Sequence, residues 1–168
     1  KIKLKAKRYE PDENEIEVEI KALGLNTRDL QLAGENQLSE LNKIGLEFSG
    51  VVTRIGNKVE HLKVGQPVMG LIHNGLRQYA LVNSHWVIPI PEGLNFQQAA
   101  ALPFHYFTAH YALNYLAQIQ PDDKVLIHNA DSPMGQALIH VANAQHCTVF
   151  ATVKELKNRN SLKTLKVK

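Results

Sequence analysis

Residues 15–22, EIEVEIKA, alternate apolar and charged positions, putting Ile16, Val18 and Ile20 on one face and charged side chains on the other. The pattern predicts a half-buried strand. Residues 46–55, LEFSGVVTRI, read as a second strand, bent or bulged at Gly50, where the missing Cβ permits close backbone approach. In residues 65–71, GQPVMGL, Pro67 lacks an N–H and belongs at the strand's first position or at an edge. Two further short strands are predicted over 78–82 and 86–90. Short, closely spaced strands punctuated by Gly and Pro predict a small β-barrel or sandwich.

The period changes after residue 95. Asn95 is a good N-cap for a helix over 96–101, with Gln97 and Gln98 in its first turn. Pro103 interrupts, and apolar and aromatic residues at helical spacing resume over 106–117. Pro121-Asp122-Asp123 is a turn. A strand over 125–129, a helix over 134–144 and a strand over 148–153 then make a parallel βαβ unit. The chain therefore divides into a strand-rich part, residues 1–95, and an α/β part, residues 96–168.

Composition narrows the class. A chain of 168 residues holds one ordinary domain or two small ones, and 44% apolar with 21% charged residues fits a globular protein. The net charge of +3 is unevenly spread. Residues 1–8 carry five basic side chains and no acid, and residues 154–168 carry six basic side chains against Glu155 alone. The body between them is acidic, so the ends are read as solvated termini rather than a nucleic-acid footprint. The single cysteine, Cys147, excludes an internal disulfide and a Cys-rich zinc site. Residues 93–121 lack Asp, Glu, Lys and Arg, yet Asn95, Gln97, Gln98, Pro103, His105 and His110 are too polar for a membrane span. The expectation is a soluble, cytoplasmic protein.

Six motifs fall in one order: GLNTRDL at 24–30, GLEFSGVVTRIG at 45–56, VGQPVMG at 64–70, IPIPEG at 88–93, FQQAAALPFHYFTAHYA at 96–112 and VLIHNADSPMGQ at 125–136. Together they resemble the medium-chain dehydrogenase/reductase superfamily. The likeness is greatest to its zinc-free quinone-oxidoreductase branch and to the enoyl-reductase domains of polyketide and fatty-acid synthases. It implies a GroES-like β-barrel domain over 1–95, followed over 96–168 by the first part of a Rossmann, doubly wound parallel-sheet domain that binds NADPH. Two parallel strands are fewer than such a sheet needs, so the reading expects the C-terminal half of that domain to be absent. The implied activity is hydride transfer from NADPH to a 2-enoyl thioester. The implied partners are an acyl-carrier-protein-bound or small enone substrate and neighbouring synthase domains, with a homodimer left open. A free-standing quinone or enone reductase, or a non-catalytic structural remnant, are the alternatives.

A zinc ion needs about three protein ligands. The positions where zinc-binding relatives carry Cys and His, residues 26–29 and 46–47, offer neither, so no metal is expected. Val125–His128 running into a small-residue turn and then a helix is the order a dinucleotide-binding unit requires. Ala130, Ser132 and Pro133 stand where relatives carry glycines, and Gly135 remains; with Met134 and Gln136 these are the candidate pyrophosphate contacts. Pro133 suits the first turn of a helix. Asp131 is the discordant residue: a carboxylate about 4 Å from a phosphate costs on the order of 1–4 kcal/mol unless it faces solvent. Beyond the second strand stand Thr152, Lys157 and Arg159, whose cations suit the 2′-phosphate of NADPH or simply solubilise a helix start. The resemblance adds Asn26 and Thr108 at the nicotinamide end; each is equally readable as a turn or helix residue bonding its own backbone. Tyr106 is a proton donor by residue type, or a core residue by position. Some synthase relatives carry a Tyr where Glu35-Asn36 stand here.

Overall fold

The computed structural model describes residues 8–34 and 44–167. The basic run over 1–7 and Glu35-Asn36 lie outside the described residues. Two compact units are present, Lys1–Phe104 and His105–Lys168.

The first unit is built on a five-stranded antiparallel sheet. Its strands are β1 (Glu15–Gly24), β2 (Glu47–Ile55), β3 (Pro67–Leu71), β4 (Tyr79–Asn83) and β5 (Val87–Pro89), in the order β4-β1-β2-β3-β5. Pro67 opens β3, opposite Val51, where its missing N–H is least harmful. Two bulges bend the central pair. Glu17 faces Arg54 and Val18 faces Val52, leaving Thr53 as the extra residue on β2; Ile20 faces Gly50 and Ala22 faces Ser49, leaving Lys21 extra on β1. The bend expected at Gly50 is thus a bulge on the facing strand. A Cβ on Gly50 would lie 2.3 Å from the Glu19 carbonyl oxygen, so only glycine fits that approach.

Ile16, Val18, Phe48, Val52, Leu62 and Val68 form the core of this unit. The charged face of β1 departs from expectation. Glu17 is only 2% exposed, because Arg8, Arg54 and the Thr53 hydroxyl all converge on its carboxylate. The Arg8 guanidinium, with help from Arg54 and Thr53, holds that carboxyl well below the usual carboxylate range. Arg8 also lies 4.4 Å above the Tyr79 ring.

Helix α1 (Thr27–Gly34) follows β1, and α2 (Phe96–Ala100) follows β5. Asn95 and Gln98 form a full capping box at the start of α2, and Ser49 donates to the Phe96 carbonyl at 2.6 Å. Pro103 does more than interrupt: it is the first residue of α3 (Pro103–His110), where a missing N–H costs nothing. The backbone then widens into a π-helical segment, Tyr111–Leu116, which the helical spacing did not distinguish.

The second unit holds β6 (Lys124–Ile127), α4 (Pro133–Ala144) and β7 (Thr148–Ala151), with β6 and β7 parallel in the register Lys124–Thr148 to Ile127–Ala151. Ile127, Ala130, Ile139, Ala142 and Val149 form its core, closed by Leu162 of the short helix α5 (Arg159–Leu162). Cys147 is buried, and burial pushes its thiol pKa up. The described residues thus contain a GroES-like antiparallel sheet and the start of a parallel sheet. No helix among them is long and apolar enough to cross a membrane.

Candidate active site

In the first unit, Asn26 sits at the head of α1 as a cap. Its Oδ1 accepts from the amides of Arg28 at 3.0 Å and Asp29 at 3.3 Å, while Asp29 Oδ2 accepts from the Asn26 amide at 3.0 Å. This is a reciprocal cap three residues apart. Asp29 is buried, and its other oxygen accepts from the Gly45 amide at 3.0 Å, tying α1 to the lead-in of β2. The Asn26 side-chain Nδ2 is buried with no hydrogen-bond partner among the described residues, which leaves a donor available to a bound group. Glu47 is 1% exposed at the start of β2, and its Oε2 accepts from the Phe104 amide at 2.9 Å in the first turn of α3. Nearby, Arg28, Leu46, Ile72, His73, Trp86 and Phe104 are among the residues lining a mainly apolar cavity of about 510 Å³.

In the second unit, the turn after β6 is closed from both sides. Asn129 takes a left-handed φ of +53°, which Asn tolerates better than most residues. The Ala130 amide donates to the Thr152 carbonyl at 2.8 Å, and the Thr152 hydroxyl lies 3.3 Å from the Asn129 amide and 3.1 Å from His128 Nδ1. Ser132 is the N-cap of α4: its hydroxyl accepts from the Gly135 amide at 3.0 Å and donates to the Asn129 carbonyl at 2.8 Å. Pro133 stands in the first helical position. A Cβ on Gly135 would lie 2.5 Å from Ala130 Cα, so glycine lets the helix press on the turn. The Gln136 amide bonds the Ser132 carbonyl at 2.9 Å. Of the first-turn donors among the described residues, the Met134 N–H is the one this cap leaves to a ligand. A turn of three glycines would leave more.

Asp131 turns toward the exit of β7. Its carboxylate accepts from Asn158 Nδ2 at 2.7 Å and from the Lys154 amide at 3.2 Å, just beyond β7. Asn158 and the Lys154 amide together hold its pKa below the ordinary Asp value. Lys157 and Arg159 are exposed, and the Lys157 ammonium pairs with Glu155 at 2.5 Å. On α3, Tyr106 bonds His140 Nδ1 of α4 through its hydroxyl and stacks on that ring; partial burial raises its pKa. Thr108 is half-buried on the same helix.

Ser132, Pro133, Met134, Gly135 and Gln136 are therefore brought together with Ala130 and Thr152 at one turn. Asp29, Glu47, His140 and Asn158 are the participants the sequence did not mark. The Asn26-x-x-Asp29 spacing was a readable cap; Glu47 and Phe104, 57 residues apart, carry no local signal.

Residues 12–92 match the alcohol dehydrogenase GroES-like domain family. The chain is 34% identical to CurK enoyl reductase, with a TM-score of 0.84 over 97% of this chain and 52% of that one. The chain belongs to the medium-chain dehydrogenase/reductase superfamily. Within that superfamily it is also 27% identical to the Escherichia coli quinone oxidoreductase solved with NADPH, at a TM-score of 0.74 over 98% of this chain and 52% of the other. Highly-reducing polyketide synthase 1 of Aureobasidium melanogenum is 36% identical over 153 residues, which are 90% of this chain and 7% of the synthase. Reducing polyketide synthase rdc5 of Metacordyceps chlamydosporia is 38% identical over 143 residues, 84% of this chain and 6% of that one. The chain thus spans about half of its solved relatives and a small part of the synthases.

Proposed function

We propose that this chain carries the substrate domain (residues 1–95) and the opening nucleotide-binding segment (residues 96–168) of an enoyl reductase that works within a synthase. The observation that carries the reading is the β6–turn–α4–β7 unit, in which Gly135 presses on Ala130 and Ser132 caps the helix. The likeness to enoyl reductases and polyketide synthases supports the substrate class. A nicotinamide nucleotide such as NADPH, held at this turn, would supply the hydride for reduction of a 2-enoyl thioester.

The chain's own residues do the holding. The Met134 N–H and the positive end of α4 bind a pyrophosphate, with Ala130, Ser132, Pro133 and Gln136 shaping the turn. Thr152 braces that turn against β7. Lys157 and Arg159 supply cations for the adenosine end. Asn26, whose buried side-chain Nδ2 has no partner among the described residues, is the first unit's candidate nicotinamide contact, and Thr108 on α3 is the second unit's. The apolar cavity of the first unit takes the alkyl part of the substrate, and the thioester arrives on an acyl carrier or as a small enone. Tyr106, held to His140, is the proton-donor candidate.

Fluorescence titration with NADPH and NADH tests the reading. Saturable binding, weakened for NADPH by Lys157→Ala or Arg159→Ala, and turnover of a 2-enoyl thioester ahead of small quinones, is the expected result. Absence of binding to the folded protein at millimolar nucleotide overturns it. Turnover restricted to free quinones moves the protein to the quinone-reductase branch.

A further inference from the structure

In a dinucleotide-binding fold, an acid just past the second strand accepts hydroxyls from the adenosine ribose. Here that stretch reads Thr152-Val153-Lys154, and the acid that follows, Glu155, is paired with Lys157. The structure brings an acid to the same place from elsewhere. Asp131 belongs to the turn after β6, yet its carboxylate lies beside the exit of β7, on the Lys154 amide and the Asn158 side chain. We propose that Asp131 sets which nicotinamide nucleotide this site takes, opposing the 2′-phosphate of NADPH and offering acceptors to the 2′-hydroxyl of NADH. The inference rests on the nucleotide site proposed above.

Three observations carry it. The carboxylate has about four acceptor positions, and its two well-formed bonds, from Asn158 Nδ2 and the Lys154 amide, occupy one on each oxygen, with the Asp131 and Glu155 amides nearby, so a ribose hydroxyl would compete for the remainder. The group is ionised at neutral pH, since both contacts favour the charged form. Of the two cations that flank Asn158, Lys157 is already paired with Glu155 at 2.5 Å, which reduces what it offers a phosphate. Basic residues alone read as an NADPH site. With Asp131 among them, the preference for the phosphorylated cofactor is erased.

The test measures dissociation constants for NADPH and NADH on the purified protein and on Asp131→Asn, which keeps the side chain's shape and removes its charge. The expected result is near-equal affinities in the parent protein and, in the variant, NADPH binding tightened about tenfold relative to NADH, equivalent to about 1.4 kcal/mol. Asp131→Ser removes the same charge with a shorter side chain and gives the same shift, so it decides the matter if the Asn variant misfolds. An unaltered ratio in both Asp131 variants overturns the inference and leaves the nucleotide site standing. Failure of either nucleotide to bind any of the folded proteins overturns both.

Discussion

Glu17 shows how a single buried carboxylate can outweigh the strand pattern around it. Alternation assigns it to the wet face of β1, yet two guanidinium groups and a hydroxyl enclose it at 2% exposure. Removing its charge leaves Arg8 and Arg54 without their partner, although both are exposed enough to recover some water. Glu17→Gln is therefore expected to cost about 2 kcal/mol at neutral pH, less than the roughly 3–5 kcal/mol of a fully buried pair because both guanidinium groups reach water. Because the folded-state pKa is depressed, this stability is fully present above the unfolded value of about 4.3 and is lost as pH falls further. Urea unfolding of both proteins from pH 7 to pH 3 checks it: the gap between them narrows below about pH 4. A gap that stays constant through that range would mean the carboxylate's charge is not what matters.

Among the elements, α2 shows what a cap contributes. Asn95 Oδ1 accepts from the Gln98 amide at 2.9 Å, and Gln98 Oε1 accepts from the Asn95 amide at 3.1 Å. The helix has only five residues, so its own backbone bonds cannot hold it. Ala99 and Ala100 are buried and Ser49 of β2 bonds the first carbonyl, so losing the cap loosens the helix on the sheet. Asn95→Ala is expected to lower unfolding free energy by about 1 kcal/mol, read as a shift in urea midpoint at constant slope. This element was legible in the sequence because its cap acts over three residues. The same locality made Pro67, Pro133 and the parallel βαβ unit legible. Glu17 was not, because Thr53 and Arg54 lie 36 and 37 residues away and reach it through a bulge that no periodicity marks. Asp131 was visible as an awkward charge. Its direction depended on Asn158, 27 residues on.

At the scale of the whole molecule, each compact unit has a core of its own. Ile16, Val18, Phe48 and Val52 close the first, and Ile127, Ile139, Ala142 and Val149 close the second. A disturbance placed in one core should open that unit's amides ahead of the other's. Gly135 offers the cleanest disturbance. Alanine in a helix is ordinarily favoured over glycine by about 1 kcal/mol. Here the added Cβ would stand 2.5 Å from Ala130 Cα and 2.6 Å from the Asn129 carbonyl oxygen, backbone atoms that cannot swing aside. Overpacking of that kind costs about 1–3 kcal/mol, so the clash outweighs the helical gain. Gly135→Ala is expected to lose hydrogen-exchange protection across β6, α4 and β7 while β1 and β2 keep theirs. The same substitution pushes α4 away from the turn that Ser132 caps, so nucleotide binding should weaken together with that protection. Equal loss of protection in β1 and β2 would show that the two cores unfold as one, and retained protection throughout would show that the turn gives way without strain.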